Sequence, residues 1–532
     1  MIPVAVALMA AGCSSSGSDS TAGPSIVIDS SQPENPLVPG NTNETGGGKV
    51  VDALFTGLVE YAADDAATQM AVAESIESSD AKTFTIKLKE GWKFHDGTPV
   101  TSDSFINAWN WVAYGPNGAL NSYFMEKIDG YADLQSEDPD GEEGPQEAPA
   151  PAAKEMKGLK KIDDTSFEVT LSAPFGAFET TLGYTAFSPL PQSFFDAGDD
   201  KTAWGKNPVG NGPFKFVGWT DNQEIKITRN DDYTGTKPKV KDVTFRLYQN
   251  QDAAYSDLLS DNLDFQQQLP TAALAGGKWK TDLGDRGMER PVLVVQTITM
   301  PIYAGAPYDN ADFRHGLSMA IDRDTITQQI FDGTRAPAKA FSSPAVNGYE
   351  ETCGEYCTYN PDKAKELVAK SGFSGKVTLS YNADGDHKAW TEAVCNSITK
   401  ATSLECQATP VATFAAFRQG INDKKMTGLF RAGWQYDYPN IQNGLEPLYA
   451  TGGSANDSGY SNPAFDEGIA KANQASVEES NALYIAAEKT LVADMPAIPL
   501  WTVSEQSGIS TKLKTAKVNV FGELDLVSVE VK

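Results

Sequence analysis

The chain has 532 residues, with 43 Lys and Arg against 71 Asp and Glu, a formal net charge of -28, and 40% hydrophobic residues. That length exceeds what one hydrophobic core organises, so roughly two or three domains are expected. The composition is that of a globular protein, and the acidic balance excludes nucleic acid as a partner, because phosphate binding needs clustered Lys and Arg.

At the N-terminus, Ile2 to Gly12 is apolar and small. Cys13 follows Ala10-Ala11-Gly12, and a polar tether follows, Ser14-Ser15-Ser16-Gly17-Ser18-Asp19-Ser20. This arrangement resembles a bacterial lipoprotein signal, in which the chain is cut before the cysteine and its thiol is acylated. It departs from that pattern in having no Lys or Arg before the apolar run and in the shortness of the run. A start codon placed too far downstream would explain both. Residues 1–23 are therefore read as signal and tether, with Cys13 as the lipidation site. No later stretch approaches the ~20 apolar residues of a spanning helix. The expected location is extracytoplasmic, with the chain held at a membrane surface by lipid.

From Ser25 the chain reads as a short buried strand. Val50 to Tyr61 carries Val51, Leu54, Phe55 and Leu58 at helical spacing. The preceding Gly46-Gly47-Gly48-Lys49 is no phosphate loop, since Val50 follows the lysine where Ser or Thr is needed. Thr83 to Lys89 alternates as a half-exposed strand. Glu90-Gly91-Trp92-Lys93-Phe94-His95-Asp96-Gly97-Thr98-Pro99 turns through Asp-Gly into a helix with Phe105, Ala108, Trp109 and Val112 on one face. Residues 135–153 are acidic and proline-rich, the composition of an exposed loop. Strands resume at Phe167 to Leu171. Further strands follow the glycine turn Asn207-Pro208-Val209-Gly210-Asn211-Gly212, then at Ile225 to Ile227 and Val243 to Leu247. Pro213 and Phe214 stand where a dinucleotide fingerprint needs a helix start.

Pro307 to Asp324 predicts a helix with Phe313, Leu317 and Ala320 inward and Asp322 capping the next. Asn360-Pro361 and Ser461-Asn462-Pro463 open two more helices by the same cap-and-proline device. Ser476-Val477-Glu478-Glu479 reads as a capping box for a helix with Leu483, Ala487 and Leu491 inward. Besides Cys13 there are four cysteines, Cys353, Cys357, Cys395 and Cys406. An even number in an exported chain suggests two disulfides. Sequence alone allows three pairings; Cys353–Cys357 with Cys395–Cys406 is favoured because each closes a short loop. The spacings suit a zinc site poorly.

The stretch Gly428 to Asn440 concentrates chemistry. Leu429 and Phe430 read as the end of a buried strand, which Arg431 interrupts. Gly433 allows close backbone approach, Trp434 and Tyr436 offer flat apolar surface, and Asp437 precedes the turn at Tyr438-Pro439. On pattern alone the favoured reading is a strand end with a surface ion pair and two core aromatics.

The segments 83–111, 207–217 and 307–324 together resemble the extracellular solute-binding proteins of the oligopeptide and dipeptide class, which serve ABC importers. The likeness runs from about Ser25 to the C-terminus. It implies an α/β, two-lobed periplasmic-binding-protein-like fold with three interleaved regions and a hinge. Residues 24–60, 188–288 and 505–532 would form the main domain of one lobe, 61–187 its extra domain, and 289–504 the second lobe. Ligand would be enclosed by lobe closure. In peptide-binding members the position of Asp437, behind Gly433-Trp434, binds the ligand's terminal ammonium. Arg431 falls where a cation meets the ligand's carboxylate, and Tyr381 to Lys388 resembles a pocket segment that places His387 near the ligand. In that family His95 belongs to a turn. The candidate peptide-binding set is Asp437, Trp434, Gly433, Gln435, Tyr436, Arg431 and His387.

The partners implied are short peptides and the permease and ATPase subunits of an importer. No cofactor and no enzymatic activity are implied, and a monomer is expected. Three widely spaced histidines serve a nickel site poorly. Trp434 and Tyr436 could stack on an oligosaccharide, but Asp437 favours an amine. A secreted hydrolase is the reading of another class, and neither Gly-x-Ser-x-Gly nor His-Glu-x-x-His occurs to support it.

Overall fold

The computed structural model describes residues 23–136, 148–198, 200–383, 387–412 and 414–532. Cys13 with its signal and tether, and residues 137–147 of the acidic stretch, lie outside the described residues.

One mixed sheet of eleven strands runs through the molecule. Ser25–Ser30 lies parallel to Asp242–Leu247, with Ile26 beside Val243 and Ile28 beside Phe245, all four buried. The sheet continues antiparallel through Glu224–Arg229 to Phe214–Thr220. At its other end Val377–Asn382 runs parallel to both Cys406–Val411 and Leu429–Gln435. Parallel neighbours need crossovers, and the helices Lys388–Thr402 and Phe414–Asn422 supply them. A separate four-stranded antiparallel sheet forms from Ala73–Glu77, Thr83–Leu88, Ser166–Thr170 and Leu159–Asp163. The helix Ser102–Ala113 packs on it, with Phe105 stacked on Phe167 at 5.9 Å and Trp109 edge-on to the same ring at 5.7 Å.

Two long antiparallel strands, Gly287–Thr299 and Ala497–Ile509, join the two ends of the main sheet. Apolar side chains collect in two large clusters. One holds Ile26, Phe105, Trp109 and Phe245, the other Ile298, Phe313, Leu379 and Trp501. The long strands serve both. Met288 and Ile509 pack on the first cluster, while Leu293, Ile298 and Leu500 belong to the second. Their pairing slips between Pro291 and Val295 and again between Gln296 and Thr297. Pro291 has no N–H to donate, and a bulge bends the strand that carries it. The bend therefore falls where the chain leaves one core for the other.

Most expected elements form. Asn310, Asp322, Asn360 and Asn462 each cap a helix through the side-chain oxygen. The two disulfides are Cys353–Cys357 and Cys395–Cys406, with Cα separations of 5.5 and 4.9 Å. The second ties the helix Lys388–Thr402 to the strand Cys406–Val411 at the sheet's edge. His95 is a turn residue: its Nδ1 accepts from the Gly210 N–H at 3.2 Å and its Nε2 meets the Gly212 carbonyl at 3.1 Å. Burial pushes its pKa down to about 4, so the ring is neutral.

Two expectations need correction. The helical spacing of 50–61 does not make one helix: Thr45–Leu54 is helical, Phe55 is extended, and Val59–Tyr61 is a strand paired with Thr68–Met70. The capping box at Ser476 is half formed, since its hydroxyl accepts from the Glu479 N–H while the Glu479 carboxylate returns to that hydroxyl and not to the cap backbone. In the same helix Leu483 is half-buried, and Tyr484 and Glu488 take the fully buried places beside Ala487 and Leu491.

Candidate ligand-binding site

The strand Leu429–Gln435 begins at Leu429 and does not end at Phe430. Arg431 leaves it intact because successive residues face opposite sides. Phe430 is buried, whereas Arg431 is half-exposed, donating from Nε to Asn382 Oδ1 at 2.7 Å. Its guanidinium lies over the rings of Phe414 and Phe417 at 5.1 and 5.3 Å.

On one side the strand pairs antiparallel with Gly287–Thr299, Trp434 opposite Val295 and Gly433 opposite Gln296. On the other, pairing with Val377–Asn382 stops at Phe430. Beyond that point this edge carries no further strand among the described residues. Main-chain groups of an open edge are a template for an added strand. Gly433 and Gln435 are exposed on this segment. A Cβ at Gly433 would stand 3.3 Å from the Val295 carbonyl, so the neighbouring strand limits the space there.

Asn443 organises the end of the edge. It lies in the first turn of the helix Ile441–Tyr449, capped by Asn440. Its Oδ1 accepts from the Trp434 indole N–H and from the Asp437 backbone N–H, both at 3.0 Å, and its Nδ2 donates to Asp437 Oδ2 at 3.1 Å. Tyr436 is buried, its hydroxyl accepting from the Ser343 N–H at 3.2 Å. That hydroxyl occupies the space of a side chain at Gly444, where a Cβ would come within 1.9 Å of it.

Asp437 remains partly exposed. Burial pushes its carboxyl up to about 6 against the opposing hydrogen bond from Asn443. Across from it stand Tyr61, Tyr123 and Tyr184, whose hydroxyls are held above their ordinary value by burial and then by the Asp437 charge. Tyr61 donates to the Thr180 carbonyl at 2.6 Å and packs on Phe521 at 5.7 Å. The same face carries an ion pair, Lys127 to Glu446 at 3.1 Å, and a bond from the Gly176 N–H to the Asn473 carbonyl at 2.6 Å.

The structure thus brings together Arg431, Gly433, Trp434 and Tyr436 around one cavity, with Asp437 just beyond it. His387 does not line that cavity. It stands before the helix Lys388–Thr402, its Nδ1 accepting from the Trp390 indole N–H at 3.2 Å. Residues 384–386 of its segment lie outside the described residues. The sequence reading missed Asn443 and the three tyrosines. For Asn443 a signal existed, since Pro439-Asn440 before an apolar run is a helix cap that aims the first turn back at the strand end. Among the described residues no group of three or more His, Cys, Asp or Glu is placed to hold a metal ion, and no helix is long and apolar enough to cross a membrane.

A mixed sheet shared by two cores, with a partly exposed carboxylate at the end of an open strand edge, describes a ligand-binding protein. The family model for bacterial extracellular solute-binding proteins, family 5, matches residues 67–456, and the chain belongs to that family. The oligopeptide-binding protein OppA of Bacillus subtilis is 26% identical over 491 residues, covering 87% of this chain and 85% of that protein. The periplasmic oligopeptide-binding protein OppA of Salmonella typhimurium is 29% identical over 446 residues, covering 81% and 78%. Among solved structures, the periplasmic murein tripeptide-binding protein MppA in an unliganded open form superposes with a TM-score of 0.79 at 23% identity, covering 96% of this chain and 98% of that one.

Proposed function

We propose that this protein captures short peptides outside the cytoplasm and delivers them to an ABC importer, held at the membrane surface through a lipid on Cys13. The open edge of Leu429–Gln435, leading to Asp437, is the observation that carries the reading. A peptide laid on that edge pairs through its main chain, which leaves its side chains largely unselected. Its ammonium meets Asp437, and a charged hydrogen bond of this kind is worth roughly 1.5–3 kcal/mol. The names of the two relatives support a peptide as the ligand.

In this reading the two hydrophobic clusters are two lobes, 289–504 being the second, and the bulged strands at Pro291 to Thr297 are the hinge. Arg431 meets the carboxylate only of peptides whose length suits it. His387 contributes no more than an outer contact.

Native mass spectrometry of the purified protein, followed by calorimetry with a tripeptide and its N-acetylated form, tests the proposal. A co-purifying peptide mixture and binding of the free-amine form alone are expected. A bound oligosaccharide or metal chelate, or equal affinity for both forms, overturns it.

A further inference from the structure

We propose that the cavity beside Leu429–Gln435 is a subsite for one aromatic side chain of the bound peptide, an inference that rests on the peptide reading above. The cavity measures about 240 Å³ and lies between this strand and the helices Phe414–Asn422 and Ile441–Tyr449. An apolar protein cavity of about 150 Å³ already holds benzene. A phenyl, phenol or indole ring therefore fits, with room for its methylene.

The lining presents ring surface beside the hydroxyl groups of Thr297, Thr299 and Ser458. Trp434 and Tyr436 turn their polar tips away, to Asn443 and to the Ser343 N–H. Phe341 and Tyr449 meet edge to face at 5.2 Å, and the buried Phe417 forms another part of the wall. The charges in the wall are engaged. Arg418 grips both oxygens of Asp457 at 2.6 and 3.2 Å, and Arg431 lies flat over Phe414 and Phe417. A charged side chain entering here would lose its water against Arg418 and Asp457, which already hold each other, whereas an aromatic ring finds edges and faces to pack on.

The mouth lies where a peptide would deliver such a side chain. Gly433 is exposed at the open strand edge, and Phe414, 48% exposed, lies under the Arg431 guanidinium two residues back along the strand. The lining residues Arg431 to Trp434 precede Asp437 by roughly 10 to 20 Å of strand at ~3.3 Å per residue. An extended peptide with its ammonium at Asp437 covers that distance within about its first seven residues.

The test is calorimetry with free-amine heptapeptides of Gly and Ala in which each position in turn carries Phe or Leu. One position is expected to gain at least tenfold from Phe, about 1.4 kcal/mol, and clearly less from Leu. Ala455→Leu and Thr299→Leu extend into the cavity from the loop and from the neighbouring strand. Both variants should abolish the Phe gain and bind the parent peptide as the unmodified protein does. No responsive position, Leu equal to Phe, or a gain that survives both variants overturns the subsite. Failure of the parent peptide to bind the unmodified protein is a different result, and it overturns the peptide reading together with the subsite.

Discussion

At the scale of single residues, Asp437 is a carboxylate kept where it is costly to the empty protein. Its pKa rises on folding from 3.8 to about 6, with burial as the cause. The sign follows by linkage. A raised carboxyl pKa favours the folded state below 3.8, and that advantage is lost as pH climbs through about 6. Asp437→Asn should therefore raise the melting temperature of the ligand-free protein at pH 8, and the difference should shrink as pH falls from 7 to 5. The same variant should bind free-amine peptides at least tenfold more weakly, about 1.4 kcal/mol, while N-acetylated peptides lose nothing. Thermal melts across pH and paired titrations check both. A variant that melts lower than the parent at pH 8 would contradict the burial account. Asp437 is singled out in the sequence through the family resemblance, as the acid that follows Gly433-Trp434. Its surroundings are not legible there. Tyr61, Tyr123 and Tyr184 reach it from more than two hundred and fifty residues away in the chain, a proximity that no local pattern encodes.

At the scale of elements, caps were readable and periods were ambiguous. Asn360 and Asn462 announce their helices because a side-chain acceptor followed by proline has one common use. Val51, Leu54, Phe55 and Leu58 fit a helix, yet the buried Leu58 stands outside it and Val59 pairs in a strand, and short apolar runs fit either period. The helix Ile441–Tyr449 shows what sequence leaves out entirely. Its Glu446 is half-buried, accepting from the amides of Gln442 and Asn473 and from Lys127 at 3.1 Å. Burial alone would raise the Glu446 carboxyl, but Lys127 and the amides outweigh it and hold the pKa below its ordinary value. Lys127→Ala removes the cation and leaves the carboxylate largely desolvated, at an expected cost of about 1–3 kcal/mol near pH 7. A depressed carboxyl pKa gives stability that is present above 4.5 and lost as pH falls, so the cost should diminish in acid. Glu446→Gln in the Lys127→Ala background should recover most of it. Denaturant titrations of the four proteins of this cycle measure the coupling, and additive single effects would show that the pair contributes nothing.

At the scale of the whole molecule, the alternation of strands and helices made the α/β class legible, but strand order was not. Leu429–Gln435 lies between Val377–Asn382 and Gly287–Thr299, and nothing in its own residues says that the first pairing stops at Phe430. That early stop creates the open edge on which the proposed function depends. The lobes of that proposal touch through Lys127 with Glu446, Gly176 with Asn473, and Arg290 with the Asp64 carbonyl at 2.8 Å. A ligand shifts such an equilibrium only by its differential affinity for the closed form. A peptide anchored by Asp437 and packed against Tyr61, Tyr123 and Tyr184 touches both sides, so it favours closure. An N-acetylated peptide lacks the anchor and gains little from it. Small-angle scattering should therefore show a smaller radius of gyration with saturating free-amine peptide. The parent protein with acetylated peptide, and Asp437→Asn with either peptide at the same concentration, should show no contraction. Lys127→Ala should start from a larger radius and still contract on binding, because the peptide supplies the contacts the ion pair had held. If calorimetry registers tight binding while the radius stays constant, the two cores form one rigid body and the bulges at Pro291 and Gln296 are not a hinge.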